Sequence, residues 1–279
     1  MTILDLITGS GLTERFYAPD RLSQDTQEEG NRLGGENLQA ATDVCLRCHE
    51  AIRDGQEPEY TDLRGADLRA GRNRLSKKVR PKEQLALYKW AEANGKLLDN
   101  SAFTRLWKAQ GSKGETENQV YYDEPSQRWY KRNNLDYHTS YLEFLYRIAL
   151  HNQHFPEAPL RLEGFVVDRD PDGTRMLKPV ISQPNVQVER GAKRPEVEPL
   201  MRNLGFVRVG DSDDYYNEQT GIRVEDMHDE NVLLGKDGVI YVVDPVVYLD
   251  DRGKQRRLAA HSPIGKLKEH HSLVESLLG

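Results

Sequence analysis

The stretch that most constrains this chain runs from Asp226-Met227-His228-Asp229-Glu230-Asn231 through Val232-Leu233-Leu234-Gly235-Lys236-Asp237-Gly238-Val239-Ile240-Tyr241-Val242-Val243 to Asp244. Two apolar runs rich in β-branched residues flank Asp237-Gly238, a strong short-range signal for a β-hairpin. With Asp237 and Gly238 as the two loop residues, 236 faces 239, 234 faces 241 and, continuing outward, Asn231 faces Asp244. Directly opposed side chains of an antiparallel pair lie about 4.5–5.5 Å apart at Cβ. That register brings an amide oxygen and a carboxylate together at the open end of the hairpin. Oxygen ligands at that separation suit Mg²⁺, which takes one or two protein oxygens together with substrate phosphates. Asp226, on the loop just before, is placed to receive a proton from a nucleophile. The pattern implies a phosphoryl-transfer site.

Asp-x-x-x-x-Asn, a short hairpin and a second Asp is also the order found in protein kinases and their relatives. Further matching stretches are 85–95, the loop and strand 114–122, Val180-Ile181-Ser182-Gln183-Pro184 and 221–246. Together they make the segment from about Pro81 onward resemble the compact kinase-like domain of bacterial and phage polyvalent proteins. The resemblance implies an α+β fold of the two-lobed protein kinase type with a reduced C-terminal lobe, residues 81–279. Residues 1–80 would be a partly helical N-terminal extension. ATP and Mg²⁺ are the implied cofactors, and phosphorylation of protein Ser, Thr or Tyr hydroxyls, in a mobile-element setting, is the implied activity. On this resemblance Asp226 is the catalytic base, with Asn231 and Asp244 as Mg²⁺ ligands. Lys131, on a strand beyond a loop carrying Gly111 and Gly114, neutralises the nucleotide phosphates and is held by Glu143 on the next helix. Gly111, Gly114 and Val120 join it among the nucleotide contacts. The adenine donor comes from Gln183, Asn185 or Val186, because Pro184 has no N–H.

Several positions depart from the eukaryotic kinase pattern. The Gly111/Gly114 loop lacks the full Gly-x-Gly-x-x-Gly spacing. Val224-Glu225 replaces His-Arg before the base, and Asp244-Pro245-Val246 replaces Asp-Phe-Gly. Only 35 residues follow Asp244 here, too few for an activation segment and a full helical lobe. His228, two residues after the base, stands where protein kinases commonly have Lys and where aminoglycoside and choline phosphotransferases have His. Three further readings therefore stay open: a small-molecule phosphotransferase, a nucleotidyltransferase holding ATP inverted, and a non-catalytic nucleotide-binding module.

A net charge of −6 argues against broad nucleic-acid binding by the whole chain. No run of about 20 apolar residues predicts a membrane span. Met1-Thr2-Ile3-Leu4-Asp5 has neither the basic region nor the apolar core of a secretory leader, so the cytoplasm is the expected compartment. The only two cysteines form Cys45-Leu46-Arg47-Cys48-His49, the spacing of a c-type haem attachment or of half a zinc site. A plainer reading is preferred, in which residues 40–52 form an amphipathic helix with both thiols buried as small apolar groups.

The remaining elements follow from periodicity and breakers. Residues 1–35 read as an extension, 62–71 as a loop and the basic stretch 72–82 as a solvated linker. Helices are predicted over 37–53, from Pro81 in a first turn to Asn94-Gly95, over 101–109, after a cap at Asp136 or Thr139, and near 196–204. Strands are predicted at 120–123, 128–131, 160–167 and 175–182, with a short hairpin of 206–209 against 215–217.

Overall fold

A computed structural model describes residues 24–53, 74–110, 118–138, 140–169 and 175–249. Helices α1 (Gln24–Arg53), α2 (Arg74–Ala93) and α3 (Asn100–Ala109) precede the hairpin β1 (Asn118–Asp123) and β2 (Arg128–Asn133). Helix α4 (Tyr141–His154), β3 (Arg161–Arg169), β4 (Arg175–Pro184), β5 (Val188–Gly191) and α5 (Arg194–Asn203) follow. The chain then forms β6 (Val207–Arg208), β7 (Tyr215–Asn217), β8 (Ile222–Glu225), β9 (Val232–Gly235), β10 (Ile240–Val242) and β11 (Val246–Leu249). The strands make three antiparallel sheets, ordered β1-β2-β4-β3, β10-β9-β5 and β11-β8-β7-β6. Helices beside antiparallel sheets are the α+β class the sequence predicts.

The largest sheet is covered on both faces. Alternation puts Leu177 and Ile181 of β4 and Leu162 of β3 on one side, in a core with Leu38, Ala41, Val44 and Cys45 of α1, Leu87 of α2 and Leu145 of α4. On the other side Val166 and Val180 meet Phe103 of α3, with Tyr121 and Tyr130 stacked 5.2 Å apart beside them. A second core joins α5 to the two small sheets through Met201, Phe206, Val224, Val232 and Val247, and Leu150 and Phe155 at the end of α4 reach into it. Helix α4 thus belongs to both cores.

Several expectations change. The helix over 37–53 begins earlier, at Gln24, within the stretch read as an extension. The stretch 72–82 is largely helical rather than a linker: α2 starts at Arg74, so Pro81 lies inside it and not in its first turn. Burial explains this, because Val79 and Arg80 are packed inward and hold the helix together across the missing N–H. The α4 cap is Ser140, whose side chain accepts from Glu143 N, in place of Asp136 or Thr139. Residues 62–71 and Gly111 and Gly114 lie outside the described residues. Cys45 and Cys48 are buried on α1, as the plainer reading expected. Burial pushes the Cys48 thiol up to about 12. No group of three or more His, Cys, Asp or Glu among the described residues is arranged to hold a metal. Nor is any helix among them long and apolar enough to cross a membrane.

Candidate functional site

Lys131 lies in the middle of β2, between Val120 of β1 and Ile181 of β4. Asn118, Tyr122, Trp129, Asn133 and Gln183 share its face of the sheet. Its side chain is only 9% exposed, and its Nζ donates to Asp244 Oδ1 at 3.0 Å and to Val243 O at 3.3 Å. The Asp244 side chain is 53% exposed, so the lysine is the buried partner and the carboxylate the solvated one. Glu143 was expected to hold this lysine. Glu143 instead lines a neighbouring pocket with Tyr137, Arg147, Glu225 and Tyr248, and the carboxylate that contacts Lys131 is that of Asp244.

The hairpin register is one residue off the expected one. Leu234 pairs with Ile240 and Val232 with Val242, so Asn231 faces Val243, whose N–H donates to Asn231 O at 2.9 Å. The cause is the turn. Gly235 N donates to Val239 O and Gly238 takes φ +81°, giving a three-residue loop with a left-handed glycine in place of the two-residue loop assumed from Asp-Gly. Asp244 therefore lies one step beyond the pair, at a bend between β10 and β11, and its side chain turns to Lys131.

Asn231 instead closes the loop on Asp226. Its Nδ2 donates to Asp226 O and to Asp226 Oδ2, both at 2.9 Å. His228 Nδ1 accepts from Glu230 N at 3.2 Å, which leaves the ring proton on Nε2, 3.1 Å from Asp226 Oδ1. Asn231 Nδ2 also comes within 3.3 Å of that Nε2, a donor meeting a donor, so its Asp226 contacts are the stronger ones. Asp226 itself has φ +65°, a conformation uncommon outside glycine, held by these bonds and by Met227 N donating to Asp213 O. The carboxylate is thereby aimed by two neighbours, Asn231 and His228. Asp226 and Asp244 line one cavity of about 130 Å³ with Asn118, Asn133 and Ile181 of the sheet and Phe144, Arg147, Ile148 and His151 of α4.

At the segment joining β4 to β5, Gln183 is buried and its Nε2 donates to Ala158 O at 2.9 Å. Asn185 N donates to Gln127 O at 2.9 Å, and Asn185 Oδ1 accepts from Trp129 Nε1. The Asn185 N–H is therefore engaged within the protein, which removes it from the three donors predicted for adenine. Val186 N has no backbone partner in this segment.

Three contributors escaped the sequence reading. Gly191 lies where the 226–231 loop crosses β5, and a Cβ there would sit 2.4 Å from Asp229 O. His151, fully buried on α4, is held down to about 4 by burial and donates from Nε2 to Ala158 O at 3.0 Å. Arg147 reaches His138 Nε2 at 3.1 Å across the cavity wall. Only the glycine left a trace in sequence, as a break in an otherwise polar run; the other two look like ordinary helix residues.

With this geometry in view, residues 80–251 match the model of a family described as "Serine/Threonine/Tyrosine Kinase found in polyvalent proteins" (Kinase-PolyVal). The chain belongs to this family. All the site residues described above fall inside the matched span, whereas α1 and the first turns of α2 precede it. Phosphoryl transfer is the broad activity that goes with membership of this kinase family. No curated protein and no solved structure matches the chain.

Proposed function

We propose that this chain transfers the γ-phosphoryl group of Mg²⁺-ATP to hydroxyls of a protein substrate. The observation that carries the reading is the 3.0 Å contact of Lys131 Nζ with Asp244 Oδ1. It joins a buried cation on the sheet to a half-exposed carboxylate at the end of the second hairpin, with Asp226 on the same cavity. In this reading the large sheet with its helices is one lobe and the two small sheets with α5 are a reduced second lobe, with the nucleotide between them. Residues 81–279 make up the kinase-like domain, and residues 1–80 are its N-terminal extension.

The donor set fits a magnesium ion. Asn231 turns its amide nitrogen to Asp226, which leaves Oδ1 for a ligand, and Asp244 supplies a carboxylate oxygen. One amide and one carboxylate oxygen, with phosphates completing the shell, match Mg²⁺ preferences. Bound there, the ion would neutralise phosphate charge. Lys131 neutralises the α/β-phosphates, and Val186 offers its N–H to the base. Asp226 accepts the hydroxyl proton as the acceptor oxygen bonds to the γ-phosphorus and ADP leaves. Asn231 and His228 hold that carboxylate in place.

A second reading has a small-molecule acceptor. His228 on Asp226 Oδ1 favours it, because a histidine beside the base is the arrangement expected of aminoglycoside-type enzymes. Incubation with γ- or α-labelled ATP and Mg²⁺ separates the possibilities. Label on protein from the γ position supports the proposal. Label from the α position means nucleotidyl transfer, and unlabelled protein with ATP consumed only when a hydroxylated small molecule is added points to the small-molecule acceptor. Binding without turnover leaves a nucleotide-binding module.

A further inference from the structure

Glu83, on α2, is fully buried, yet it is no part of the site described above. Its carboxylate accepts three hydrogen bonds. Oε2 takes the Tyr141 N–H at 2.8 Å, while Oε1 takes the Leu142 N–H at 3.2 Å and His49 Nε2 at 2.7 Å. Tyr141 and Leu142 are the first two residues of α4, whose amides have no partner within the helix. A carboxylate at that point also meets the positive end of the helix dipole. His49 is buried as well, and its Nδ1 meets no partner, so the bond to Glu83 is its ring's only described hydrogen bond. The histidine of Cys45-Leu46-Arg47-Cys48-His49 thus has a structural use that needs neither haem nor zinc.

We propose that Glu83 is a positioning residue for phosphoryl transfer, clamping the first turn of α4 with His49 and so setting the cavity wall that faces Asp226 and Asp244. This inference rests on the proposed function. Phe144, Arg147, Ile148 and His151 recur at helical spacing, so one face of α4 forms that wall. The far end of the face is tied to the β4–β5 segment, because His151 and Gln183 both donate to Ala158 O. From Tyr141 to His151 the helix rises about 15 Å, so a tilt of a few degrees at the clamp moves the wall by about 1 Å. A misplacement of that size costs on the order of 10²-fold in rate. Glu83→Gln keeps the shape but presents an amide N–H₂ to backbone donors.

The test uses the full chain. In Glu83→Gln, kcat should fall at least about 10-fold with the ATP KM within about three-fold of wild type. Amide exchange should quicken across 141–151. Val166→Ala, on the opposite face of the sheet, serves as a control with a comparable loss of Tm and should keep its kcat. His49→Leu should reproduce part of the loss, and His49→Gln, with an amide nitrogen in the place of Nε2, should restore it. A folded Glu83→Gln with wild-type kcat and wild-type exchange overturns the proposal, as does an equal fall of kcat in Val166→Ala. If Glu83→Gln does not fold, the His49 pair decides, and unchanged kcat in His49→Leu overturns it. If the wild-type protein transfers no phosphate, the proposed function falls, while α4 exchange in Glu83→Gln still upholds or overturns the clamp.

Discussion

Replacing Lys131 with Met separates what the lysine does for the fold from what it does for the nucleotide. The side chain is 9% exposed and its carboxylate partner among the described residues, Asp244, is 53% exposed. An ion pair with one solvated end contributes about 0–1 kcal/mol, and a buried apolar side chain of similar length removes the cost of burying an ammonium. Lys131→Met should therefore shift Tm by no more than about 4 °C, at about 2–4 °C per kcal/mol for a domain of this size. The nucleotide should respond more. A charge-assisted hydrogen bond to phosphate is worth about 1.5–3 kcal/mol, roughly 10- to 100-fold in Kd. At an ATP concentration of about 100 Kd the wild-type protein gains roughly 2.7 kcal/mol, or about 5–10 °C. A 30-fold loss of affinity leaves about 0.9 kcal/mol, or about 2–4 °C. Thermal melts of both proteins with and without Mg²⁺-ATP measure this directly. A variant that keeps the full ATP-induced shift would refute the reasoning. A loss of more than about 5 °C without nucleotide would show that the ion pair is structural.

Asp226→Ala should lower kcat by about 10²–10⁴-fold while ATP affinity stays nearly constant, measured by initial rates and calorimetry. Asp244→Asn should abolish Mg²⁺-dependent turnover with native circular dichroism retained; wild-type turnover at ordinary Mg²⁺ would remove Asp244 from the metal site. Gly191→Ala should push the 226–231 loop aside and cut turnover, since its Cβ would lie 2.4 Å from Asp229 O. Gly210→Ala, strained at φ +59° but with no atom within 4 Å, should cost about 1–2 kcal/mol of stability without loss of activity. Burial moves His151 and His154 from 6.5 down to about 4, so the unfolded chain binds more protons between those values and stability falls as pH drops from about 6.5 to about 4. Each histidine contributes up to about 1.4 kcal/mol per pH unit. His154→Phe should remove one share of that slope in denaturation curves at pH 5 and 6, and an unchanged slope would contradict its burial as a neutral ring.

Most elements could be read from the sequence because their signals are local. The β1–β2 hairpin, α3 and the long pair β3–β4 follow from alternation and turn residues. The register of the β9–β10 hairpin could not be read, because Asp-Gly serves a two-residue turn and the last positions of a three-residue turn equally well. A shift of one residue was enough to take Asp244 out of direct register with Asn231 and turn its side chain to Lys131. Likewise the expected partner Glu143 obeys chain order, whereas the observed partner Asp244 lies 113 residues away. Such a contact is set by tertiary packing. Residues 74–80 gave the opposite error: their charge suggested solvent, but Val79 and Arg80 are buried by neighbours that the local sequence does not reveal.

Leu38, Ala41, Val44 and Cys45 of α1 pack into the same core as Leu87 and Leu145, although α1 lies before the family-matched residues 80–251. Full burial of a leucine contributes about 1.5–3 kcal/mol. A gene fragment opening at residue 80 would carry every proposed catalytic group and still leave an apolar trough open along α2 and α4. Any rearrangement that joined residues 80–251 to another sequence would thus be constrained at its leading junction. A junction upstream of Leu38 would keep these core contacts, whereas one between α1 and α2 would leave them to be replaced by another helix.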